Sequence, residues 1–162
     1  MRRGVVYTRG VGQTTLFPPH SHPFRMIDAI LTLDRERCTI IKALCGDETL
    51  RLHPEAMGGD YPFSLLLEAM AQAAVPLAGL ADEESPHGSE EPPLPKGMIV
   101  GIDGARLLHP ARPGDRLLIT ASIVGRFGGM IRVRSTAEIA GSAPGQGLIA
   151  EGEFTIVLQE MI

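Results

Sequence analysis

The feature that most constrains this chain is a long apolar segment, residues 63–81, that holds one carboxylate. Leu, Met and Ala occupy nearly every side of the helix that this segment would form, and a helix that is apolar all round must be enclosed by other structure. The segment therefore predicts one long central helix with the rest of the domain wrapped around it. Pro62 suits its first turn, and Pro76 predicts a kink because it lacks the amide that would bond to the Gln72 carbonyl.

The polar residues of this helix form a single stripe. Ser64, Glu68 and Gln72 are four residues apart, so their side chains stack along one face. A carboxyl group in an apolar environment is costly as an anion, which gives Glu68 the physical profile of a general acid. The alternative is a buried structural acid that is hydrogen-bonded to a neighbour. In either case we expect Gln72 to support the surroundings of Glu68.

Length and charge limit the class of protein. A chain of 162 residues is long enough to bury a core of its own, and we expect one domain over residues 1–162. Within it, residues 1–17 are an N-terminal extension, and residues 82–95 are an acidic, proline-rich surface loop. The formal net charge of −4 argues against general affinity for nucleic acid.

Membrane insertion and disulfide bonding are also disfavoured. The apolar segment contains Glu68, Gln72 and Pro76 and has no flanking Lys or Arg, so we reject it as a membrane span. The two cysteines, Cys38 and Cys45, are best explained as buried, reduced thiols of a cytoplasmic protein.

Strand patterns lie on both sides of the helix. The segment 131–139 alternates apolar and polar residues, which is typical of a sheet with one face in water. The predicted strands cover residues 24–33, 38–44, 98–108, 116–124, 131–139 and 148–158. These elements predict an α+β domain in which a curved antiparallel sheet of about five or six strands wraps around one long central helix.

Three motifs lie in the order found in one known family. The first is Pro-His-Ser-His-Pro-Phe-Arg-Met-Ile-Asp at residues 19–28, and the second is Leu-Leu-Leu-Glu-Ala-Met-Ala-Gln-Ala at residues 65–73. The third is a block at residues 101–115 that starts with Gly-Ile-Asp-Gly-Ala-Arg and ends with Pro-Gly-Asp. Together they resemble the hotdog-fold 3-hydroxyacyl-acyl-carrier-protein dehydratases of the FabZ type. The resemblance implies the hotdog fold, loss of water from a 3-hydroxyacyl thioester to give a trans-2-enoyl thioester, and no cofactor.

The resemblance also assigns roles to residues of this chain. Glu68 would protonate the leaving hydroxyl, and His53, one position farther from the carboxylate than in the family, would take the α-proton. Backbone amides near the helix start would hold the thioester carbonyl. The family's histidine and carboxylate come from opposite subunits, which implies a homodimer and leaves a hexamer open. The substrate-binding candidates are Gln72, Phe63, Ser64, Gly58 and Gly59.

Other histidines and arginines are weaker candidates. His20 and His22 form a His-x-His pair, but two ligands without a partner are poor evidence for a metal, so we expect no metal and a rigid turn between Pro19 and Pro23. Arginines are concentrated after residue 105. There they would attract an acidic acyl carrier protein, or they would simply be the solvent-exposed residues on the open face of the sheet. Arg106 and Arg112 are the predicted docking residues.

Three functions remain open at this stage. The first is the dehydratase, acting on acyl carrier protein or acyl-CoA thioesters. The second is a non-catalytic hotdog subunit that binds acyl chains or acyl carrier protein. The third is an acyl thioesterase of the same fold, in which Glu68 activates water and no histidine is needed.

Overall fold

The computed structural model describes residues 5–6, 20, 23–48, 59–79, 96–143 and 146–159. This part of the chain forms seven strands, two helices and a helical turn at residues 46–48. The strands are β1 (Val5–Val6), β2 (Ala29–Leu33), β3 (Arg37–Ala43), β4 (Lys96–Leu107), β5 (Arg116–Phe127), β6 (Met130–Ile139) and β7 (Leu148–Gln159). The helices are α1 (Phe63–Gln72) and α2 (Val75–Gly79).

All seven strands belong to one antiparallel sheet. Its order is β1-β2-β3-β5-β6-β7-β4, so the strand that follows the helices in sequence lies at the edge, beyond the last strand of the chain. The predicted alternation in β6 is confirmed, since Ile131, Val133, Ser135 and Ala137 are buried and the residues between them are not. The α+β architecture expected from the sequence is therefore present.

The helices lie against the buried face of this sheet. Helix α1 packs on β5 and β6, and Leu66, Ala69 and Met70 are fully buried there. The Ser135 hydroxyl donates a hydrogen bond to the Met70 carbonyl oxygen over 3.0 Å, which satisfies the one polar side chain on the buried face of β6. The helix thus covers one face of the sheet, as its apolar surface requires.

The central helix is shorter than predicted, and it is interrupted where proline predicts. Helix α1 ends at Gln72, residues 73–74 form a turn, and α2 begins at Val75. Pro76 has no amide hydrogen to give the Gln72 carbonyl, and its ring would clash with that carbonyl in a continuous helix. In the turn, the Ala74 carbonyl oxygen accepts from the amides of Leu77 and Ala78 instead.

Some expectations need correction. The sequence predicts the first strand from residue 24, but β2 starts at Ala29, because Phe24 and Met26 are hydrogen-bonded to Gln72 of the central helix. Cys38 is buried as expected, whereas Cys45 follows the end of β3 and is exposed. The predicted loop at 82–95 lies outside the described residues, and so does the extension at 1–17 apart from β1. None of the helices in the described ranges combines the length and the hydropathy that a membrane span needs.

Candidate active site

A cleft of about 260 Å³ lies beside the polar stripe of the central helix. We call it the Glu68 cleft. One wall is helical and carries Glu68 and Gln72, and the other is formed by the edge strand β4 and by β7. Its full lining is His20, Phe24, Glu68, Ala71, Gln72, Ala74, Val75, Ala78, Gly97, Met98, Ile99 and Ile156. Most of this surface is apolar, and the few polar groups lie together, as in sites that hold a small molecule in one orientation.

Glu68 and Gln72 are hydrogen-bonded to each other, as their spacing on one helical face predicts. The Gln72 amide nitrogen donates to Glu68 Oε1 over 2.7 Å. Gln72 is 2% exposed, whereas Glu68 is half-buried at the wall of the cleft. The carboxyl group is therefore fixed on one side and accessible from the other, and Glu68 is less enclosed than the sequence suggested.

Gln72 also fixes a segment that is distant in the sequence. Its side-chain oxygen accepts from the Met26 amide over 2.9 Å, and its nitrogen donates to the Phe24 carbonyl oxygen over 2.9 Å. These partners determine the orientation of the amide group, because a flipped Gln72 would place donor against donor at Met26. One buried side chain therefore holds both the carboxylate and the segment that precedes β2.

His20 is the feature of the cleft that sequence reasoning missed. It lines the cleft with Glu68, and its ring packs against the Phe24 ring with 5.6 Å between centroids. Its Nδ1 atom is shielded from solvent and makes no hydrogen bond with the described residues. The available signal is the Pro-His element itself, for which the sequence predicts a rigid turn. His22, the other member of the pair, lies outside the described residues.

The remaining site candidates are placed as follows. His53 and Gly58 lie outside the described residues, so their predicted roles remain predictions. Gly59 and Ser64 are exposed and Phe63 is half-buried at the start of α1, and none of the three is part of the lining of the Glu68 cleft.

The two predicted docking arginines are exposed, and each contacts a carboxylate. Arg106 pairs with Glu151, and Arg112 Nε lies 3.2 Å from Asp60 Oδ1. Their charges are thus partly balanced within the chain. Surface ion pairs of this kind are weak and leave the guanidinium groups able to exchange partners.

Comparison with known proteins identifies the family. The chain is 31% identical over 159 residues to the 3-hydroxyacyl-[acyl-carrier-protein] dehydratase FabZ of Thiobacillus denitrificans, covering 93% of this chain and 97% of the relative. The chain belongs to this dehydratase family. The FabZ protein of Campylobacter jejuni is 30% identical over 146 residues, with 86% of this chain and 90% of the relative covered. No family model matches the chain.

Solved structures agree on the fold. A chain of the dehydratase heterocomplex ApeI:P from Xenorhabdus doucetiae superimposes with a TM-score of 0.68 at 14% identity, with 90% of each chain covered. Thioesterase superfamily member 2 from Mus musculus gives a TM-score of 0.56 at 16% identity, with 80% of each chain covered. At these identities the likeness extends to the fold alone. The FabZ-family chain described here has the α+β hotdog fold that the sequence predicted.

Proposed function

We propose that this chain dehydrates 3-hydroxyacyl thioesters carried on acyl carrier protein to trans-2-enoyl thioesters. The observation that carries the proposal is the Glu68 carboxyl group, held by Gln72 at the wall of an apolar cleft in a chain of the FabZ family. The apolar wall formed by Met98, Ile99 and Ile156 suits the alkyl chain of such a substrate.

The contact between Glu68 and Gln72 defines where the acidic proton lies. Because Gln72 donates to Oε1, that oxygen is the acceptor of the carboxyl group, and a proton on Glu68 resides on Oε2. The Oε2 hydroxyl is then free to protonate the 3-hydroxyl group of the substrate as the C3–O bond breaks. A positioned acid of this kind contributes about 10²–10⁴-fold in rate.

The reaction also needs a base for the weakly acidic α-proton and donors for the thioester carbonyl oxygen. The family resemblance gives these tasks to His53 and to backbone amides near the start of α1, with Phe63, Ser64, Gly58 and Gly59 around the substrate. These assignments remain part of the proposal.

A homodimer is the assembly we propose. In the described part of the chain, the edge strand β4 pairs with β7 alone, and its outer region exposes Met98, Val100 and Ile102 at 56%, 51% and 45%. An apolar edge strand is a ready template for pairing with another strand, and a second copy of β4 offers the same surface in return. Gly97, Met98 and Ile99 line the cleft, so the partner would border the site.

Analytical ultracentrifugation of the parent protein and of Val100→Lys tests the homodimer. We expect the parent protein to be dimeric and the variant to be monomeric.

The exposed arginines and the free cysteines each support one further part of the proposal. Arg106 and Arg112, both exposed, would exchange their internal carboxylates for those of an acidic carrier protein. Cys38 and Cys45 are free thiols, which suits a cytoplasmic protein.

The decisive experiment measures enoyl product formed from a 3-hydroxyacyl-carrier substrate by the parent protein and by Glu68→Gln. We expect the parent to be active and the variant to lose about 10²–10⁴-fold in kcat, because the amide has no acidic proton to transfer. Glu36→Gln, at an exposed glutamate that is not part of the cleft lining, is the matched control and should keep full activity. Full activity of Glu68→Gln would refute the proposal.

The same assay separates the alternatives. Carrier binding without turnover by the parent protein would indicate a non-catalytic subunit. Release of free thiol from an acyl thioester, with no enoyl product, would indicate a thioesterase. Either result contradicts the dehydratase.

A further inference from the structure

The Glu68 cleft continues along the helices well beyond the carboxyl group. From Glu68 its lining passes Ala71 in α1, then Ala74 in the turn and Ala78 in α2. At about 1.5 Å per residue, Ala74 and Ala78 lie roughly 9 and 15 Å farther along this wall than Glu68. The cleft therefore has a long axis, and the proposed acid lies at one end of its helical wall.

The volume of the cleft exceeds what the reacting atoms need. It is about 260 Å³, whereas a water molecule takes about 30 Å³ in the liquid. The carbons and oxygens that react occupy only part of that space. The rest of the lining includes Val75, Ile99 and Ile156, which suit an alkyl chain and would leave a polar group without a hydrogen-bond partner.

The smallest side chains of the lining lie on the helical wall. Ala71, Ala74 and Ala78 are buried although they line the cleft, so each presents only a methyl group to it. In an unbroken helix of 3.6 residues per turn, Ala74 would point about 120° away from Glu68. The turn at residues 73–74, which Pro76 imposes, accounts for the place of Ala74 in the same lining as Glu68.

We propose that Ala74 and Ala78 determine the longest acyl chain that this protein accepts. The reacting carbons lie at Glu68, and the alkyl chain runs from there past Ala74 toward Ala78. Each alanine leaves room for the chain where a larger side chain would stop it. A methylene that is buried in this way improves binding about fourfold, and one that does not fit is rejected by about tenfold or more.

This inference rests on the proposed dehydratase function, and it can fail while that function stands. If the parent protein forms enoyl product and substitutions at the alanines do not change its preference for chain length, the dehydratase stands and the present inference falls. A parent protein that forms no enoyl product from a chain of any length overturns both.

The test measures kcat/KM for carrier-bound 3-hydroxyacyl chains of increasing length. The length limit is the chain length beyond which kcat/KM falls by about tenfold or more. We expect both Ala74→Leu and Ala78→Leu to have a shorter limit than the parent protein. Their positions differ by about 6 Å along the wall, and an extended chain advances about 1.2 Å per bond, so the limit in Ala74→Leu should be shorter by about five carbons than in Ala78→Leu. Equal limits in the parent protein and both variants, or the reverse order, would overturn the proposal.

Ala73→Leu is the matched control. Ala73 is as fully buried as its neighbour Ala74 but is not among the described residues that line the cleft. Leucine at either position overfills the core, so both variants should lose stability. Only Ala74→Leu should change the length limit. A limit that shortens equally in Ala73→Leu would mean that general distortion of the helices is the cause, which contradicts the proposal.

Val75→Phe keeps the test decisive if Ala74→Leu does not fold. Val75 lines the cleft beside Ala74 and is only half-buried, so a larger side chain there meets less resistance from the core. We expect the phenylalanine ring to narrow the cleft and to shorten the length limit as well. An unchanged limit in both Val75→Phe and Ala78→Leu would overturn the proposal.

Discussion

Two polar clusters flank the central helix, and they differ in how completely they are paired. The cluster near the start of α1 consists of Lys42, Glu48 and Tyr61. Glu48 Oε1 lies 2.7 Å from Lys42 Nζ, and Glu48 Oε2 accepts from the Tyr61 hydroxyl over 2.8 Å. Both carboxylate oxygens are thus used inside the protein. Such a cluster stabilises the fold, and neither carboxylate oxygen of Glu48 remains available to bind a substrate.

The second cluster, in the Glu68 cleft, is less completely paired. Gln72 uses its amide fully, but His20 Nδ1 has no partner among the described residues and Glu68 is only half-buried. Both clusters are linked to the same helix, and both contain a carboxylate. The difference lies in the groups left unpaired, and variants of each cluster should separate stability from activity accordingly.

The largest effect on stability is expected from Glu48→Leu. Lys42 is 1% exposed, and removal of its carboxylate leaves an uncompensated buried charge, which costs about 3–5 kcal/mol in the free energy of unfolding. Urea unfolding measures the loss, and the folded fraction should keep its dehydratase activity. Asp47→Asn, at the exposed neighbouring carboxylate, is the control and should change little.

A double variant sharpens this prediction. Lys42→Met combined with Glu48→Leu removes both charges, so most of the stability lost in Glu48→Leu should return. If the single variant is as stable as the parent protein, the cluster near the start of α1 does not stabilise the fold and the comparison fails.

The sequence predicts the paired cluster and the unpaired one to different extents. Alternation along β3 places Lys42 on the same side as Cys38 and Ile40, facing the core, and spacing on α1 places Glu68 beside Gln72. These are local relations, fixed by the periods of strand and helix. The existence of the strands after the helix and the helix break at Pro76 likewise follow from residues that are close together in the sequence.

The relations that the sequence did not reveal are between distant segments. The edge position of β4 depends on which strands pair, and a strand pattern carries no information on its neighbours. Gln72 donates to the Phe24 carbonyl oxygen and accepts from the Met26 amide, and these contacts between distant segments follow from no periodicity in the sequence. Strand β1 is two residues long and is too short to have a pattern.

An intermediate effect is expected from Gln72→Met, which should impair both stability and activity. The Met26 amide and the Phe24 carbonyl lose their buried partner, at about 1–3 kcal/mol in the free energy of unfolding. The kcat should also fall, though less than in Glu68→Gln, because Glu68 keeps its proton but loses its support. Gln146→Met, at an exposed glutamine, is the control for both measurements. Unchanged kcat in Gln72→Met would mean that the shared amide does not position the site.

The smallest effect is expected from Tyr61→Phe, and it depends on pH. At neutral pH the variant loses the hydrogen bond to Glu48, which is about 0.5–1.5 kcal/mol in the free energy of unfolding, and its activity should be unchanged. Burial, followed by the hydrogen bond to Glu48, raises the pKa of the Tyr61 hydroxyl. Its contribution is therefore complete below the ordinary tyrosine pKa of about 10 and is lost as the pH rises above it.

Measurements of stability at alkaline pH distinguish Tyr61 from Cys38, the other buried group that loses a proton in this range. Burial also raises the pKa of the Cys38 thiol from 9.0 to about 12, so both proteins lose stability as the pH rises through that window. The thiol is common to parent and variant, and its contribution cancels in their difference. That difference should be constant up to about pH 10 and then shrink and reverse, by at most about 1.4 kcal/mol per pH unit. A difference that stays constant across the alkaline range would mean that Tyr61 ionises in the folded protein as readily as in the unfolded chain, and that the cluster near the start of α1 is open to solvent like the Glu68 cleft.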